Sequence, residues 1–280
     1  MLAFLMLSVP VKATLVVIVP FNEGLIIAAD SRATILGINC DSQYKITELR
    51  RPIRTVIAVT GEVAFIAPPG VEIHDMCLYL KSAPRMIDFT SIVKRYLEKK
   101  KINPFKLSLD DLSSVCIEEV ERFFKEHPDA FERFVGHEIF SVIIVSYDPH
   151  SNNSLILNFV VKIDAITRKV MATRFTRIVI SAQSRRGMWS YGETDYLNKN
   201  VFGGIGRKFI TADTQSFILI DKPISEVRLE QAVAVTTNII DATSRTTEII
   251  PSPSGIGGPI DIVLIGNKRH PEHIQLNSNK

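Results

Sequence analysis

Cysteine is scarce in this chain of 280 residues, with three in all. Cys40, Cys77 and Cys116 are too few and too scattered for a disulfide framework. None sits in a C-x-x-C pair, which argues against a zinc site built on thiolates. The six histidines show no H-E-x-x-H or similar ligand spacing, and His137-Glu138 leads straight into a strand. Metal chemistry has no support. Charge of one sign is lacking too: the net charge is +3, and the densest basic patch, Lys99-Lys100-Lys101, reads as a solvated helix end. Nucleic acid as a partner is therefore not suggested. The glycine clusters do not make a nucleotide site. FGGIG at 202–206 lacks the third glycine and a βαβ context, and GIGG at 255–258 reads as the turn before a final strand. The single tryptophan, Trp189, reads with Arg185-Arg186 as part of an inserted surface segment. No internal repeat, low-complexity stretch or dividing linker is visible.

Long apolar runs are also absent, apart from the first thirteen residues, MLAFLMLSVPVKA. Pro10 and Lys12 interrupt them, whereas a spanning helix needs about 20 apolar residues without such breaks; no membrane partner is expected. Two readings stay open for this lead. Val11-Lys12-Ala13 has the small-residue look of a signal-peptide cleavage site, but the positively charged start is missing. A short propeptide is the other reading, and the rest of the chain favours it. The expected organisation is a lead over 1–13, one domain over 14–266 and a loose polar tail over 267–280.

What is present, at 46% hydrophobic and 22% charged, is an ordinary globular composition. TLVVIVP at 14–20 and GLIIAAD at 24–30 are β-branched runs around the turn residues Phe21-Asn22-Glu23, and so form a hairpin. RTVIAVT at 54–60 makes a second hairpin with the strand that carries Tyr44-Lys45-Ile46. Helices follow. Residues 88–98 form one, and Ser108-Leu109-Asp110-Asp111 is a capping-box-like start to another, whose stripe is Leu112, Cys116, Val120 and Phe123. Strands return at 139–147, 155–163 and from Lys169 to about Ile180. Ser225 is expected to cap a helix with Leu229, Val233, Thr236 and Ile240 on one stripe, before a last strand at 260–266. This order disfavours a doubly wound fold. It fits an α+β four-layer αββα sandwich, with two β-layers covered by helices on both outer faces.

Register brings candidate chemistry together. With the first loop centred near Asn22, Thr14 falls opposite Asp30 and Ser31, and Lys45 on the next strand reaches the same place. A hydroxyl is a weak nucleophile without a base. A threonine at a free N-terminus carries its own, an α-amine of unperturbed pKa about 8. The Lys45 ammonium would lower that pKa, Asp30 would hold Lys45, and Gly61 can offer an unobstructed N–H to a developing oxyanion, worth roughly a hundredfold or more in rate.

The stretch TLVVIVPFNEGLIIAADSRAT, then Lys45-Ile46, then AVTGEVA, resembles the opening of proteasome β-type subunits over residues 14–65, and the closing helix and GGPIDIVLI strand over about 225–266 look like the end of the same fold. The resemblance implies the N-terminal nucleophile hydrolase type of fold and a mature chain that begins at Thr14. Its site would be Thr14, Asp30, Arg32, Lys45 and Gly61. It further implies peptide or unfolded-protein substrates, a ring-like homo-oligomer and no metal or organic cofactor. Four departures stand beside it. Ala13 precedes Thr14 where active subunits have glycine. Lys45 is one residue nearer to Thr14 than the family spacing. EIIPSPSGIGG replaces the segment that carries a supporting aspartate and serine. Glu193 falls where a second serine is expected, in Tyr191-Gly192-Glu193. The expected activity is peptide-bond cleavage by Thr14 after removal of residues 1–13. The alternatives are a non-catalytic scaffold member and a small-amide amidohydrolase. A propeptide lead goes with a cytoplasmic protein, a signal-peptide lead with an exported one.

Overall fold

Because strand-forming residues recur in runs of four to eleven, the computed structural model is built around two sheets. It describes residues 8–11, 15–35, 38–41, 45–49, 54–61, 63–66, 77, 89–181, 183–184, 187–220, 222–251, 255–267 and 269–276. In chain order these give Ser8–Val11 (β1), Leu15–Phe21 (β2), Gly24–Asp30 (β3), Arg32–Ile35 (β4), Ile38–Asp41 (β5), Ile46–Leu49 (β6), Arg54–Gly61 (β7) and Val63–Ile66 (β8). Helices Phe89–Lys100 (α1), Leu109–Glu126 (α2) and Pro128–Phe134 (α3) follow, then Glu138–Asp148 (β9), Asn153–Ile163 (β10), Val170–Ile180 (β11) and Trp189–Gly192 (β12). Helical turns between Thr194 and Phe209 lead to Ala212–Leu219 (α4), Leu229–Ile249 (α5), Ile260–Gly266 (β13) and Arg269–Leu276 (β14).

The fold is α+β, with two five-stranded antiparallel sheets in the orders β11-β10-β9-β7-β6 and β12-β2-β3-β13-β14. Both expected hairpins form: Phe21 pairs with Gly24 and Val16 with Ala29 in the first, and Ile46 with Ala58 in the second. Every residue of β2, β3 and β13 is buried. A strand buried on both faces needs cover on both. Alternate residues supply it. Val16, Ile18, Ile27 and Val263 cluster with Val56, Ile143, Val145 and Ile156 of the other sheet, while Leu15, Val17, Ala28 and Ile262 pack with Val235, Ile239 and Ile240 of α5. A third cluster joins α1, α2 and α3 to the other sheet through Val93, Cys116, Val120, Phe140 and Phe159.

Ser108 caps α2 as expected, accepting the Asp111 N–H at 3.2 Å, and Leu112, Cys116, Val120 and Phe123 are buried. The other cap is corrected: α5 starts after Arg228, and Ser225 sits in a separate turn, Ile224–Glu226. The buried stripe of α5 includes Thr236, Thr243 and Thr246, whose hydroxyls each donate to the carbonyl four residues back at 2.6 Å. Satisfied this way, they can face a sheet without an unpaired polar atom.

Three further expectations are corrected. Arg269–Leu276, read as part of a loose tail, pairs along β13 as an edge strand. Trp189, read as surface, pairs with Ile18 in β12 and packs against the inter-sheet core; Arg185 and Arg186 lie outside the described residues. Cys40 and Cys77, read among cysteines too few and too scattered for a disulfide framework, form a single disulfide. Sequence distance between two cysteines says little about distance in space once a strand intervenes. In the lead, Ser8–Val11 pairs with Val63–Ile66. No described helix is long and apolar enough to cross a membrane.

Candidate active site

The β2–β3 register carries Asp30 to the level of Leu15. Thr14, the expected nucleophile, lies outside the described residues; its neighbour Leu15 donates its N–H to Asp30 Oδ1 at 2.8 Å. Asp30 is fully buried, and Lys45, at the head of β6, is 7% exposed. Their charges meet, with Lys45 Nζ 3.2 Å from Asp30 Oδ2. The same ammonium donates to the Arg32 carbonyl at 2.5 Å. A buried ion pair persists only when its remaining hydrogen-bonding positions are filled, and here the backbone helps to fill them: Gly257 N–H donates to Asp30 Oδ2 at 3.3 Å.

Arg32 contributes differently from what its charge suggests. Its guanidinium grips Asp41, Nε to Oδ1 at 2.6 Å and Nη2 to Oδ2 at 2.9 Å. The hydrogen bond and charge of Asp41 hold the guanidinium pKa above its ordinary value, with weaker help from Asp30. What Arg32 gives the lysine is its backbone carbonyl. The turn between α5 and β13 locks this arrangement, since Ser31 N–H donates to Pro259 O and Arg32 N–H to Gly257 O, both at 3.0 Å. Gly257 adopts φ +155°, a conformation that side-chain-bearing residues rarely take, and a Cβ there would also stand 2.5 Å from the guanidinium.

Gly61 ends β7 with φ +116°, and a Cβ on it would lie 2.6 Å from Ile139 O and Phe140 Cα. Backbone geometry alone accounts for glycine at this position. It also lines an open cleft of about 310 Å³, shared with Thr60, Ser141, Asn158, Tyr191, Gly192 and Glu193. Gly192 pairs with Leu15, so the cleft borders the start of β2. Burial pushes the Tyr191 phenol up to about 12.

Of the five expected site residues, then, Asp30, Lys45 and the Arg32 backbone meet; Gly61 stands at the cleft; Thr14 is not described. Sequence reading missed Asp41 and Gly257. The Arg32–Asp41 pair was legible only as a cross-strand pair, and residues 33–44 did not announce the β4–β5 hairpin that places it. Gly257 was visible as a turn glycine, without sign of what it approaches. Ser31 Oγ is buried with no hydrogen-bond partner among the described residues. Also among the described residues, no cluster of His, Cys, Asp and Glu could hold a metal ion.

No protein-family model and no curated protein matches the chain. Solved structures do. An Anbu (Gly-1) mutant from Hyphomicrobium sp. strain MC1 is 15% identical with a TM-score of 0.50. The helical assembly of the Anbu complex from Pseudomonas aeruginosa gives 13% and 0.50. Anbu (ancestral beta-subunit) from Yersinia bercovieri gives 12% and 0.49. Each alignment covers 95% of this chain and 88% of the other. The Hyphomicrobium and Pseudomonas neighbours correct the resemblance to proteasome β-type subunits: Anbu is a relative of those subunits but a distinct family. The residues that carried the resemblance lie in short stretches, whereas the structural likeness spans 95% of the chain. At such identity the likeness establishes a proteasome-related, Anbu-like fold, and that alone.

Proposed function

We propose that this chain, once shortened to begin at Thr14, is an N-terminal-threonine hydrolase that cuts peptide bonds. The observation that carries the reading is the buried Asp30–Lys45 pair, tied through Asp30 Oδ1 to the N–H of Leu15, the residue next to Thr14. A hydroxyl and a free amine on residue 14 would then stand beside a fixed ammonium. Lys45 disfavours a second positive charge nearby and so keeps more of the α-amine neutral. The amine takes the Thr14 hydroxyl proton as Oγ attacks the carbonyl, and the tetrahedral oxyanion accepts from the Gly61 N–H. The resulting ammonium returns that proton to the departing amine, leaving an ester on Thr14. Water, deprotonated by the same amine, then attacks the ester, and the ammonium returns that proton to Thr14 Oγ as the acid leaves.

Intact mass of the purified protein tests the first requirement: loss of residues 1–13 agrees with the proposal, and a stable chain that keeps Met1 counts against it. One observation favours a second reading, a non-catalytic scaffold. Ser8–Val11 is paired into a sheet with Val63–Ile66, which gives the uncut lead a structural use. A Thr14→Ala variant that assembles normally and leaves hydrolysis unchanged would decide for it.

The same proposal includes a four-layer αββα arrangement, supported by one apolar cluster between the sheets and one under the helices of each. It also includes homo-oligomerisation. Head-to-tail contacts close into rings or run on as helices, and the Pseudomonas neighbour is described as a helical assembly. Disulfides persist in oxidising compartments, so the Cys40–Cys77 bond favours the exported alternative; cell fractionation would separate it from a cytoplasmic location.

A further inference from the structure

The inter-sheet core changes character at one end. Along β7 the inward residues Val56 and Ala58 give way to Thr60; along β9, Val145 and Ile143 give way to Ser141; along β10, Ile156 gives way to Asn158. These three polar residues are 2%, 8% and 7% exposed, and all line the 310 Å³ cleft that Gly61 and Gly192 border. Sheet register explains the cluster, since Thr60 faces Ser141 across β7–β9. A core position occupied by a hydroxyl or amide on three adjacent strands loses apolar burial unless the polar atoms are used. Tyr191 joins them from β12.

Among the described residues, the floor has spare hydrogen-bonding capacity. Ser141 Oγ donates to Asn158 Oδ1, which engages one end of the amide. Whichever way the amide is turned, its other end remains for a guest. Above the floor, β10 and β11 lose register between Asn158 and Val160, and Arg174 in that bulge adopts φ 55°. Bulges re-aim side chains. This one sets Arg174 on the cleft rim, where it pairs with Glu138 at 2.6 Å.

We infer that this cleft binds a neutral, hydrogen-bonding side chain of a peptide, a carboxamide or a hydroxyl, read by Asn158 and Ser141. The inference deepens the proposed hydrolase and rests on that reading for its placement beside the cut bond. An aliphatic guest would strip water from the Asn158 amide and the hydroxyls without replacing their hydrogen bonds. A charged guest would lie on an uncharged floor, lacking a counter-charge there, since the rim arginine is already held by Glu138. Glu193 on the wall makes a cationic guest the competitor to exclude.

The test needs no catalysis. Dye-labelled, end-blocked alanine hexapeptides carrying glutamine, leucine or lysine at each position in turn are titrated by fluorescence anisotropy against the full chain and against Asn158→Leu and Ser141→Ala. At one or more positions the glutamine peptide should bind roughly tenfold tighter than the leucine peptide. That contrast should shrink to about twofold in either folded variant. Leucine or lysine binding as tightly as glutamine at every position, no binding by any peptide, or a glutamine contrast that survives in both variants would overturn the assignment. The wild-type comparison stands even if a variant fails to fold. Cleavage of the same peptides is read separately: a chain that binds glutamine selectively but cuts nothing keeps the cleft and loses the hydrolase.

Discussion

Asp30 and Lys45 are the residues on which the candidate site turns, and their burial makes them costly to separate. Lys45→Met would leave a carboxylate buried at 0% exposure with only backbone donors among the described residues, at a cost of about 3 kcal/mol or more in urea unfolding. Changing both partners, with Asp30→Asn added, should restore much of that loss, because the uncompensated charge goes with its partner. A double variant no more stable than the single would show that the pair does not act as a unit. A second residue-scale prediction concerns Cys116, the free cysteine, whose thiol burial pushes up to about 12 from 9.0. Folded protein at pH 8 should take up no alkylating reagent at Cys116 by mass, and unfolded protein should take up one equivalent. The sign for stability follows. Cys116 and Tyr191 both have folded pKa values raised above their unfolded ones, so their contribution is complete below about pH 9 and is lost as pH rises towards 12. Unfolding free energy measured over that window should decline.

At the scale of elements, the Cys40–Cys77 disulfide bridges 37 positions of sequence and anchors β5, whose Asp41 holds Arg32. Loop-closure entropy for that span gives about 4 kcal/mol. Reduction should lower the unfolding free energy by an amount of that order, and an unchanged denaturation midpoint in dithiothreitol would rule the bond out as a stabiliser. Elements also show what the sequence could reveal. The β2–β3 hairpin was legible because two β-branched runs flank a polar turn, and register follows from a turn of known length. The β4–β5 hairpin was not, since RATI and INCD are each only four residues long and follow directly on a longer run. β14 was hidden for a related reason: RHPEHIQL has no apolar alternation, and its proline and charges are what an edge strand tolerates. The start of α5 was misplaced by one turn because Ser225 is the better capping residue, while the chain enters the helix at Arg228, which makes no side-chain cap.

For the whole molecule, the order of strands and helices carried the α+β class and two β-layers, and clusters of alternate residues on its two faces explain why a strand such as β2 is apolar throughout. The family behind the fold was less legible. Short matching stretches near the two ends of the domain pointed to proteasome β-type subunits, where the structural neighbours are Anbu proteins. The central claim is that this architecture presents residue 14 as a nucleophile. Its most direct test is the hydrolysis rate of an unfolded protein substrate by chain shown by mass to begin at residue 14, compared with a Thr14→Ala variant beginning at the same position. The account predicts cleavage by the first and a loss of roughly a thousandfold or more in the second. Equal rates in the two, or no cleavage by a chain with a free Thr14, would contradict it.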